Sequence, residues 1–129
     1  MSKTILQSTP EDRLAYHLRT AVERRRAAAD GAVDEKWQRA QRVARQAAEV
    51  LKLQFAASRV VLFGSAARRD CFTPWSDIDL AVWDVPSDRF YAAVAVVTGL
   101  NAEIGVDVVD PERCSRAVHE AVEREGVEL

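Results

Sequence analysis

Histidine and cysteine, the usual raw material of zinc sites and thiol chemistry, are scarce here: two of each in 129 residues. Cys71 and Cys114 stand 43 positions apart (114 less 71), with no CxxC and no histidine at ligand spacing beside either. A zinc site is therefore not expected, and a disulfide is disfavoured in a reducing cytosol. His17 and His119 are isolated and read as ordinary surface or partly buried side chains. No apolar run approaches the roughly 18 residues a bilayer-crossing helix needs, and Met1 to Pro10 lacks the basic-then-apolar order of a secretory signal. The chain is expected to be cytoplasmic and without membrane contact. It has no internal repeat, low-complexity tract or long linker. With 48% hydrophobic and 29% charged residues it has the size and composition of one globular domain.

What is present is unevenly distributed. Residues 1–60 hold 12 Lys/Arg and 7 Asp/Glu, a net +5, and residues 61–129 hold 6 and 13, a net −7. This sets a basic helical surface beside an acidic centre. The basic part reads as a solvated helix face, with contact to RNA or an acidic partner as the alternative.

Thr9-Pro10-Glu11-Asp12 combines a capping hydroxyl, a proline at the first helical position and acids in the first turn, so a helix is predicted over residues 10–29. Its stripe is Leu14, Leu18, Ala21 and Val22, and Asp30-Gly31 is its expected stop. A second helix is predicted from Asp34 to Ala57, with Trp37, Ala40, Ala44, Ala47, Leu51 and Phe55 alternating at three and four residues. Arg59 to Phe63 is a β-branched and aromatic run without polar alternation, the texture of a strand covered on both faces. Residues 78–83 and 106–109 read as strands, residues 87–100 and 111–125 as helices. The expected architecture is α/β: a small sheet of about three strands flanked by helices, with two helices at the amino terminus.

The chemistry sits where these elements begin and end. Asp77 and Asp79 are two residues apart at the start of a strand, so they share one face while Ile78 and Leu80 take the other. Two carboxylates so placed repel unless a cation lies between them, and hard oxygen ligands suit Mg²⁺ or Mn²⁺. Asp107 lies alone among valines in another strand and would bring a third carboxylate if the strands are neighbours. Such a cluster suits phosphoryl and nucleotidyl transfer. Asp110 is a weaker candidate, because its place before Pro111 is explained by helix capping. Gly64-Ser65 ends a buried strand and leads into Ala66-Ala67-Arg68-Arg69, which reads as a first helical turn whose free N–H groups could face an anion. Glycine admits a phosphate close to the backbone, the serine hydroxyl adds a donor, and Arg68 and Arg69 add positive charge.

Phe63-Gly64-Ser65-Ala66-Ala67-Arg68, Ser76-Asp77-Ile78-Asp79-Leu80-Ala81-Val82 and Val106-Asp107-Val108-Val109-Asp110 together resemble the minimal nucleotidyltransferases of the DNA polymerase β superfamily. The resemblance covers residues 58–129. It implies a minimal nucleotidyltransferase core there; residues 1–57 lie outside the resemblance and are read from their helical pattern as an extension packed on that core or docking a partner, as one globular domain overall. It also implies that Gly64, Ser65 and Arg68 bind the nucleotide, that Asp77 and Asp79 bind Mg²⁺ or Mn²⁺, and that Asp107 completes the metal site and helps activate the acceptor hydroxyl. ATP is the implied substrate. The implied biology is that of an antitoxin beside a HEPN-domain toxin, silenced by transfer of AMP to a tyrosine (AMPylation). No direct nucleic-acid contact is implied, and a homo-oligomer stays open. The chain departs from the pattern in two respects: 11 residues, Ala66 to Ser76, separate Gly-Ser from the first aspartate, one more than usual, and the amino-terminal 57 exceed the core. Two other readings remain: a module that neutralises a toxin by contact alone, and a transferase acting on a small molecule such as an aminoglycoside.

Overall fold

The computed structural model describes residues 9–129; the stretch before Thr9 lies outside the described residues. The element order is α1 (Pro10–Phe55), β1 (Arg59–Phe63), β2 (Ile78–Trp83), α2 (Phe90–Thr98), β3 (Val106–Val109), α3 (Arg116–Glu125) and β4 (Val127–Glu128). Two compact units divide the chain, Met1–Ala32 and Val33–Leu129. Among the described residues no helix is long and apolar enough to cross a membrane.

The expected start of α1 is built as the sequence implies. The Thr9 hydroxyl accepts the Asp12 N–H at 3.1 Å while the Asp12 carboxylate accepts the Thr9 N–H at 3.0 Å, a reciprocal cap. The expected stop is not. One continuous helix of 46 residues replaces the two that were expected, with Asp30 and Gly31 inside it. An exposed interior glycine costs only about 1 kcal/mol relative to alanine. Alanines 27–29 before it and Glu35-Lys36 after it propagate the helix, and no proline follows to end it. The helix closes instead at Ala56, whose φ of 60° is left-handed, and the Ala57 N–H donates to Leu51 O at 3.0 Å.

In the Val33–Leu129 unit the sheet has the order β3-β2-β1-β4, four strands where about three were expected. The fourth is the short β4, antiparallel to β1 with Leu62 opposite Val127. Strand β1 is antiparallel to β2, and β2 is parallel to β3, with Ile78 opposite Val106 and Ala81 opposite Val109. Val60, Leu62, Ile78, Leu80, Val82 and Val106 form one face of the sheet. They are buried in a cluster with Ala40, Val43, Ala44, Ala47, Ala48, Leu51 and Phe55 of α1 and Ala93 and Val97 of α2. Alanine at four of the seven buried α1 positions lets helix and sheet approach closely. The opposite face carries a smaller cluster of Val61, Phe63, Ala81 and Val122, with Val118 and Ala121 of α3 packed against it.

Two helices are shorter than expected. Residues 87–89 form a 3₁₀ turn leading into α2, and α3 starts at Arg116 rather than at residue 111. Asp110 caps a local turn, accepting the Glu112 N–H at 2.9 Å. Ser115 is the helix cap, its hydroxyl accepting the Val118 N–H at 3.4 Å. Proline after a capping residue serves a turn as readily as a helix start.

Candidate active site

Strand alternation puts Phe63, Asp79 and Asp107 in one row across the sheet. Asp79 pairs with Phe63 on one side and with Asp107 on the other. Neighbouring strands lie about 4.8 Å apart, so the two acidic side chains leave the same face side by side. Asp77 lies two residues before Asp79, about 7 Å away along the chain and on the same side. The Ile78 N–H donates to Gly105 O at 2.9 Å and fixes this end of β2 against the start of β3. The apolar cluster beneath α3 covers this same face further along the strands, at Val61 and Ala81. The acids therefore occupy the uncovered end of a face whose other end is packed.

Glycine occurs where these carboxylates come close to the backbone. A Cβ at Gly64 would lie 2.5 Å from Asp79 Oδ2, and one at Gly105 would lie 2.9 Å from Asp77 Oδ1. Gly64 also has φ +72°, a conformation that side chains rarely adopt. The turn after β1 therefore places its backbone directly against the Asp79 carboxylate. Ser65 to Ala67 then form one 3₁₀ turn, in which the Ala67 N–H donates to Gly64 O at 3.1 Å. The leading N–H groups of such a turn have no partner within it.

Burial and like charge act together on Asp79. Desolvation, followed by repulsion from Asp107 and then Asp77, pushes its carboxyl up from the ordinary 3.8 to about 6. The three acids thus lie within electrostatic reach of one another. Among the described residues, no three acidic, histidine or cysteine side chains converge tightly enough to enclose an ion unaided. A partial shell of this kind fits Mg²⁺, which is commonly bound through one or two carboxylates and keeps water and substrate phosphate as its other ligands. The donor set is hard oxygen, and the unrelieved repulsion at Asp79 is what a divalent cation would offset.

The connection from Ser65 to Asp77 is held by α1. Ala66 O accepts from Gln41 Nε2 at 2.7 Å and from Trp37 Nε1 at 3.2 Å. Lys36 Nζ donates to Pro74 O, and Arg69 pairs with Asp34. Phe72 is buried, and the Ser76 hydroxyl, also buried, accepts the Thr73 N–H at 2.8 Å. The extra loop residue is thus absorbed in an anchored loop. These holding residues escape a reading by motif, because Trp37 looks like one more member of the apolar stripe. The visible signal is that Asp34, Trp37 and Gln41 recur on one helical face. Arg69, weighed as a phosphate ligand, is engaged with Asp34, and Arg68 contacts Asp70 at 3.2 Å while remaining half exposed. Asp110 faces Arg113 and its own turn. Trp75, two residues before Asp77 in the chain, is 87% exposed.

No protein-family model and no curated protein matches the chain. Among solved structures, a crystal structure of a toxin-antitoxin with AMP-PNP aligns with 64% of this chain and 69% of its own, at TM-score 0.51 and 20% identity. At that identity the similarity is one of fold. The other protein is one crystallised with a nucleotide triphosphate analogue.

Proposed function

We propose that the chain is a metal-dependent nucleotidyltransferase that moves AMP from ATP to a hydroxyl of a partner protein, a tyrosine of a HEPN-type toxin, and so acts as its antitoxin. The observation carrying this reading is the in-register pairing of Asp79 with Asp107 beside a glycine turn that admits nothing larger than hydrogen. The toxin-antitoxin with AMP-PNP supports it at the level of fold.

In this reading Gly64 and Ser65 hold the triphosphate through backbone N–H groups and the serine hydroxyl, and Arg68 adds charge at its edge. Asp77, Asp79 and Asp107 form the protein's share of a divalent metal site. Mg²⁺ or Mn²⁺ bound there supplies charge neutralisation at the phosphates and lowers the pKa of the acceptor hydroxyl. Asp107, exposed at the sheet edge, takes the proton from that hydroxyl. The hydroxyl oxygen bonds to the α-phosphorus, the bond to the β-phosphate oxygen breaks, and pyrophosphate leaves.

The test is incubation with α-labelled ATP, Mg²⁺ and the product of the adjacent gene. Label should appear on that product and vanish with the Asp77→Ala, Asp79→Ala double variant. The alternative outcome is neutralisation by contact alone. Toxin neutralisation that survives the double variant, with no label transferred, establishes that alternative.

A further inference from the structure

Residues 10–32 of α1 belong to a separate compact unit from the one that carries the acids. Leu14 and Leu18 are each 60% exposed there and Val22 48%. Exposed apolar side chains scattered singly need no explanation, but these form a row. At about 100° per residue, Leu14 and Val22 lie roughly 40° to either side of Leu18, and Glu11 and Arg25 about 20° to either side. The row is therefore Glu11, Leu14, Leu18, Val22, Arg25, with successive intervals of 3, 4, 4 and 3 residues. These intervals read the same in both directions about Leu18, while the two ends carry opposite charge. All five positions are exposed, as are the flanking small residues Ala15 and Ala21.

We infer that this face binds a second copy of the same chain, antiparallel, about a two-fold axis through Leu18. Antiparallel pairing sets Leu18 on Leu18 and Leu14 on Val22 of the other copy, and it sets Glu11 on Arg25 at both ends. Parallel pairing would set Glu11 on Glu11 and Arg25 on Arg25, which like-charge repulsion disfavours. Both copies present the same patch, as a closed two-fold interface requires. The row spans about 21 Å of helix, a short contact, so association should depend on protein concentration. The pairing is independent of the proposed transfer reaction and of the acids at the sheet.

Sedimentation velocity on the full chain, from about 5 to about 200 µM at low salt, tests it. The mass should rise with concentration from 14.4 kDa toward twice that value. Glu11→Arg alone and Arg25→Glu alone each replace two attractive contacts by two repulsive ones, and each should weaken association about tenfold or more. Glu11→Arg combined with Arg25→Glu should restore it, with helix content by circular dichroism unchanged throughout. Leu18→Glu, which puts two carboxylates on the axis, should leave a monomer. A wild-type chain that stays at 14.4 kDa throughout overturns the inference, including a chain that associates only with a different protein. Single variants that associate as tightly as wild type, or a double variant no tighter than either single, overturn it as well.

Discussion

Asp79→Asn should make the metal-free protein more stable at neutral pH while abolishing the proposed AMP transfer. Asp79 is half-buried, its carboxyl lies against Gly64, and its pKa is pushed up to about 6 by desolvation and by Asp107 and Asp77. A carboxyl whose folded pKa lies above its unfolded one is destabilising when ionised. The cost is absent below about pH 4, grows as pH rises from 4 to 6, and is complete above 6. The shift of about 2 units corresponds to at most about 3 kcal/mol. Partial exposure and screening by solvent and salt reduce this to about 1 to 1.5 kcal/mol. Asparagine keeps the shape and removes the charge, so the variant should melt roughly 3 to 6 °C higher at pH 7.5 and no higher at pH 4. The assay is paired thermal and urea unfolding of wild type and variant across this pH range, without divalent ions. Taking the difference cancels the titration of the other carboxylates. Added Mg²⁺ with ATP should then raise the melting point of wild type only, by mass action. A variant equal to or less stable than wild type at pH 7.5, or a difference that does not vary with pH, would refute the electrostatic account of this position.

Gly64→Ala puts a Cβ 2.5 Å from Asp79 Oδ2 at a φ of +72°. It should cost about 1 to 3 kcal/mol in urea unfolding and displace the Asp79 carboxylate, with nucleotide affinity falling more than stability. Trp37→Phe keeps the ring packing but deletes the N–H that reaches Ala66 O. About 1 kcal/mol of stability should be lost, and isothermal titration with ATP should show weaker binding although the residue touches no proposed ligand. Leu80→Ala, fully buried between β2 and α1, should cost about 2 to 5 kcal/mol. Its intact refolded fraction should still bind nucleotide, since Leu80 faces away from the acids.

Much of the fold is legible because its signals are local. Arg59 to Phe63 and Val106 to Val109 are valine-rich stretches too short for helices, and both are strands with the bounds the texture implies. Alternation alone puts Asp77 and Asp79 on one face with Ile78 and Leu80 on the other. The juxtaposition of Asp79 with Asp107 is not local: it depends on β2 and β3 lying side by side and parallel, which α2 brings about through packing. Helix continuity through Gly31 escapes for the opposite reason, since a small propensity cost looks like a stop signal when read alone. The true end of α1 is an alanine in left-handed geometry at position 56, a residue type that carries no such signal. Strand β4 has two residues and exists only because β1 offers an edge. Ser65 and Arg68 illustrate a further limit. A motif reading assigns both to the nucleotide, whereas the folded chain also gives Arg68 a neighbour in Asp70.

The measurement that bears most directly on the central claim is a crystal structure of the chain soaked with Mn²⁺ and a non-hydrolysable ATP analogue, read by anomalous scattering. The account predicts a manganese peak bridging Asp77, Asp79 and the phosphates, with Asp107 turned toward it and the triphosphate against the Gly64-Ser65 turn. A triphosphate bound elsewhere, or bound at this turn with no manganese on Asp77 and Asp79, would contradict it.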